Sequence, residues 1–86
     1  MQDQARSLPT PEQIDGETRQ IRRLRIAVNL ALQLIAEGGM TLDEAQDAAA
    51  ATRRLASQFF PGKEAVYDLI YGSKFRRLIA SVYRLH

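Results

Sequence analysis

Residues 21–36 read IRRLRIAVNLALQLIA, and the fold turns on how their apolar side chains are spaced. Together with Ile14 upstream, Ile21, Leu24, Val28, Ala31, Leu32 and Ile35 recur at 3.6-residue spacing and share one side of a helix. Ile26, Leu30 and Leu34, four residues apart, form a second stripe on the opposite side. Between Ile26 and Ala36 only Asn29 and Gln33 are polar, so this helix needs cover on two sides.

The limits of that helix are written in the flanking residues. Thr10-Pro11-Glu12-Gln13 supplies an N-cap hydroxyl, a proline at the first helical position and a capping-box partner, with the start expected between Pro11 and Glu17. Gly38-Gly39 provides a left-handed stop. Residues 1–9, MQDQARSLP, are polar and aperiodic and read as a flexible tail, leaving 10–86 as a single helical domain.

Downstream, Thr41-Leu42-Asp43-Glu44 is a second capping box, with acids at the positive end of the helix it opens. That second helix is expected to run to about Gln58, with Ala45, Ala48, Ala49, Thr52, Leu55, Ala56 and Phe59 inward. Small side chains there permit close approach to a neighbour. Pro61-Gly62 makes the next turn. A third helix is expected from about Lys63 to Tyr71, with Ala65, Val66, Leu69 and Ile70 inward. A fourth begins at Gly72-Ser73 and presents Phe75, Leu78, Ile79 and Val82. In one straight rod those last two stripes would be out of phase by about 160°, so a bend at Gly72-Ser73 is predicted. The expected fold is all-α: a small four-helix bundle-like domain with one long N-terminal helix and three shorter helices folded back across it.

Composition agrees. The chain has 86 residues, 45% hydrophobic and 26% charged, in proportions usual for a globular domain. A chain of that size buries only about 60 to 65% of its unfolded surface, which makes self-association a natural expectation. The longest apolar run, Ile26 to Ala36, has 11 residues and falls short of the roughly 20 needed to span a bilayer, so a cytoplasmic protein without membrane contact is expected.

Chemistry finds few footholds in these residues. There is no cysteine, and the lone histidine is His86. Asp43, Glu44 and Asp47 crowd a helix start, where they complement its dipole, and no glycine-rich phosphate loop is present. No catalytic residue, cofactor or metal site is expected.

Binding has better candidates. The second stripe Ile26, Leu30 and Leu34, with Arg22 and Arg23 beside it, is either covered by the three shorter helices or suits a protein partner or a homodimer, and Tyr67 and Tyr71, one turn apart, suit either the same role or the edge of the core. The alternative is nucleic acid. Arg19, Arg22, Arg23 and Arg25 lie on adjacent turns, and Lys74, Arg76, Arg77 and Arg84 interleave with aromatic residues, a composition that neutralises phosphates. Charge is also segregated along the chain: residues 19–25 hold four arginines and no acid, whereas 26–52 hold four acids and no base.

Overall fold

A computed structural model describes residues 11–84. The predicted tail 1–9, the Thr10 cap, the Ile14 side chain and His86 lie outside the described residues. Among the described residues all regular structure is helical: α1 spans Pro11–Ala36, α2 spans Leu42–Phe59, and α3 spans residues 64–83. α3 opens as α-helix over Glu64–Tyr67, widens into a π-helix over Asp68–Gly72, and returns to α-helix over Ser73–Tyr83. The principal extents are 56 × 21 × 15 Å.

The turns obey their sequences. Thr41 Oγ1 accepts from the Glu44 N–H at 3.1 Å, and the Thr41 N–H donates to Glu44 Oε1 at 2.8 Å, closing the predicted capping box. Gly38 holds φ +76 and Gly62 φ +82, left-handed conformations in which a β-carbon would be strained. α2 stops one residue before Phe60, whose N–H still reaches the Ala56 carbonyl at 2.8 Å before Pro61 ends the helix.

The core draws on all three helices. α1 gives Leu24, Val28, Ala31 and Ile35, α2 gives Ala45, Thr52 and Ala56, and α3 gives Tyr67, Phe75 and Ile79. Val28 and Ile35 are wholly shielded from solvent, each contributing about 1.5–3 kcal/mol of hydrophobic stabilisation. Because α2 contributes mostly alanine, it buries little area. Its one buried polar side chain, Thr52, shares its hydroxyl proton between the carbonyls of Ala48 and Ala49, both at 2.9 Å. The Tyr83 hydroxyl donates to the Met40 carbonyl at 2.6 Å and ties the end of α3 to the α1–α2 loop.

Three expectations need correction. The third and fourth helices are one rod, because the π turn does the work assigned to a bend at Gly72-Ser73. In a regular α-helix Tyr67 and Phe75 would point about 80° apart; a π turn absorbs one extra residue, about 100°, and brings both onto the core side. The Ser73 N–H reaches back five residues to the Asp68 carbonyl and the Ser73 hydroxyl bonds the Leu69 carbonyl at 3.2 Å, so the widened turn is internally satisfied. The phase that results is the second correction. Ala65, Val66, Leu69 and Ile70 face outward, not inward, and Leu69 is 80% exposed. The inner stripe is Tyr67, Tyr71, Phe75, Ile79 and Tyr83, at a constant spacing of four. Third, Ile21 is 45% exposed although it lies in phase with the α1 core stripe, because it lies beyond Leu24, where the buried part of α1 begins.

Candidate interaction surface

The outer stripe of α1 is exposed. Ile26, Leu30 and Leu34 show 60%, 55% and 41% of their surface, while the opposite side of the same helix carries Val28 and Ile35 at 0%. Leu30 and Leu34 do not stand alone. With Ala27 and Ala31 they form one wall of a shallow groove of about 370 Å³ whose other wall is Ala48, Ala51, Thr52 and Leu55 of α2. Apart from Leu55 the α2 wall is made of small side chains, Ala48, Ala51 and Thr52, which leaves the groove open.

Charge is distributed lengthwise around the groove. On a helical wheel Arg19, Arg23 and Glu37, the last lying one residue past α1 with its N–H still on the Gln33 carbonyl at 3.1 Å, fall within about 40° of Leu30, at 100° per residue. All three are exposed, the arginines toward the start of the stripe and the glutamate beyond its end. Asp47, exposed one turn before Ala51 on α2, adds to the acidic end.

Tyr67 is not a surface residue. It is 6% exposed, packed 5.5 Å from the Tyr71 ring, and its hydroxyl is buried with no hydrogen-bond partner among the described residues. Burial pushes the Tyr67 pKa up, and the neighbouring Thr52 hydroxyl restrains that rise without closing a hydrogen bond. Tyr67 is thus a core residue and not the docking residue expected, because the inward stripe of this segment is its tyrosine side and not Ala65, Val66, Leu69 and Ile70. Tyr71 is half-buried, with the Lys74 ammonium 5.8 Å from its ring centre, a cation–π arrangement.

The basic residues of α3 divide. Arg76 lines a cleft of about 480 Å³ between α2 and α3, with Ala50, Arg53 and Asp68, whereas Lys74 leans over Tyr71, which lines a cleft toward α1 with Ile21 and Leu24. Arg77 and Arg84 are exposed. On α1, Arg19, Arg22, Arg23 and Arg25 are all exposed but spread over about 160° of the helix circumference. Arg53 is engaged by Asp68, Nε to Oδ1 at 2.8 Å and Nη2 to Oδ2 at 3.0 Å. The bidentate hydrogen bond lowers the Asp68 pKa and raises that of Arg53.

Sequence reasoning missed a second apolar patch. Val66 and Ile70 are about half exposed and, with Ile21 and Phe60, line the cleft of about 310 Å³ between α1 and α3. The missed signal is the four-residue spacing from Tyr67 to Tyr83, which marks the inner stripe and so leaves Val66, Leu69 and Ile70 outside. Among the described residues no group of histidine, cysteine and carboxylate side chains is arranged to hold a metal, and no helix is long and apolar enough to cross a membrane. No family model matches the chain, and neither a curated protein nor a solved structure matches it.

Proposed function

We propose that this chain is a small helical protein-interaction module, with itself among its partners, that acts by docking rather than by catalysis. The supporting observation is the exposure of Ile26, Leu30 and Leu34 beside the alanine-walled groove of α2. An aliphatic stripe with a polar rim is the anatomy of a helix-on-helix interface, in which a few buried anchors carry most of the affinity. Tyr71 is a peripheral contact at most, and Tyr67 supports the module from within.

Light scattering at micromolar concentration, on the wild type and on Leu30→Glu, tests this reading. The expected result is a mass above the monomer for the wild type and the monomer mass for the variant, with helical circular dichroism unchanged because Leu30 is already exposed. A variant that associates as the wild type does would remove the stripe from the function.

Nucleic-acid binding draws less support, since Arg76 lines the α2–α3 cleft while Lys74 sits over the Tyr71 ring, and the α1 arginines spread over about 160° of their helix rather than forming one row. Binding of duplex or single-stranded DNA or RNA at low salt, weakening steeply as salt rises, would restore it.

A further inference from the structure

The outer stripe of α1 has a symmetry that selects its occupant. In order along one helical face it reads Arg19, Arg23, Ile26, Leu30, Leu34, Glu37, with the cations at one end, the acid at the other and the aliphatic anchors between. Ile26 and Leu34 lie four residues to either side of Leu30, and Arg23 and Glu37 lie seven to either side. A second α1 laid antiparallel across the first, about a twofold axis beside Leu30, therefore sets Leu30 on the partner's Leu30 and Ile26 on the partner's Leu34. The same operation sets Arg23 beside the partner's Glu37 and Glu37 beside the partner's Arg23. A parallel pair would instead bring Arg19 and Arg23 against their own copies.

Resting on the reading of this stripe as a docking surface, we propose that its partner is a second copy of this chain, bound antiparallel about a twofold axis at Leu30. Such an isologous contact uses one patch twice, so each favourable charge pair is made twice, and each error in register is also doubled. The groove walled by Ala48 and Ala51 gives the partner's aliphatic side chains a place to seat alongside α1. The small side chains of α2, which cover only one flank of α1, become the second half of the socket.

The absence of native cysteine permits a direct test. Leu30→Cys, oxidised mildly, is expected to give a disulfide-linked dimer, because the twofold places that position opposite itself. Ile26→Cys and Leu34→Cys are expected to cross-link poorly as single variants and well when combined in one chain. Sedimentation of Arg23→Glu should show roughly tenfold weaker dimerisation, from two charge pairs turned repulsive, and Arg23→Glu combined with Glu37→Arg should recover wild-type affinity. Circular dichroism monitors folding in each case, and all five positions are exposed. Dissociation by Leu30→Glu without this cross-linking pattern, or without charge-reversal rescue, overturns the antiparallel register and leaves the docking surface standing. A wild type that stays monomeric, or whose association ignores Leu30→Glu, overturns both.

Discussion

The two halves of α3 use opposite grammars. In Ser73–Tyr83 the apolar residues lie where helical periodicity puts them, with Phe75 and Ile79 buried and Leu78 and Val82 half-buried. In residues 64–72 the aliphatic side chains Val66, Leu69 and Ile70 face solvent and the tyrosines face the core. The difference teaches that one π turn re-phases what precedes it: an interior can be lined from the less apolar side of a segment, provided the far half is anchored. It also means that hydrophobicity alone does not identify the buried face.

Deleting single residues breaks this comparison most severely. Removal of Arg77 from the regular half rotates Ile79 and Tyr83 by about 100° relative to Phe75 and is expected to cost several kcal/mol, a large share of a small domain's stability. Removal of Leu69 from the π turn should be tolerated within about 1 kcal/mol, because the shortened turn becomes ordinary α-helix with Tyr67 and Phe75 still in phase. Urea unfolding of the pair measures both, and equal losses would discard the re-phasing account.

Side-chain truncation gives the next largest contrast. Phe75→Ala should destabilise by about 3–5 kcal/mol, as for other buried aromatics. Tyr67→Phe runs the other way: it removes a buried hydroxyl that lacks a partner, and the variant should be unchanged or up to about 1 kcal/mol more stable in thermal unfolding. A clear loss there would mean that the hydroxyl is satisfied in solution.

Smaller still is the Arg53–Asp68 pair, which lies half-exposed at the start of the π turn. The folded Asp68 carboxyl titrates below its unfolded value. Its contribution is therefore present above the unfolded pKa and is lost as pH falls through the folded pKa. Asp68→Asn should flatten the acid end of the stability profile slightly, and salt should shrink the difference. Smallest of all, Leu69→Ser should shift stability by no more than about 0.5 kcal/mol.

Much of this architecture was legible in the letters. Thr41 to Glu44, Gly38 and Pro61-Gly62 located the ends of α1 and α2 because capping and left-handed turns are local chemistry. Leu24, Val28 and Ile35 could be placed inside because one side of α1 repeats over several turns. The second apolar stripe was readable from three aliphatic residues at a spacing of four, but that the other helices leave it uncovered is a fact of the fold. The face of α3 was not readable. Val66, Leu69 and Ile70 are wholly aliphatic where Tyr67 and Tyr71 carry hydroxyls, and only a nonlocal fact, the demand that Phe75 and Ile79 meet α1, fixes which side the earlier half must bury.

Every tyrosine in the chain lies on the inward stripe of α3, and there is no tryptophan to mask them. Their ultraviolet emission is therefore a built-in gauge of one event, the seating of that helix against the α1–α2 hairpin, and can follow it without an attached dye.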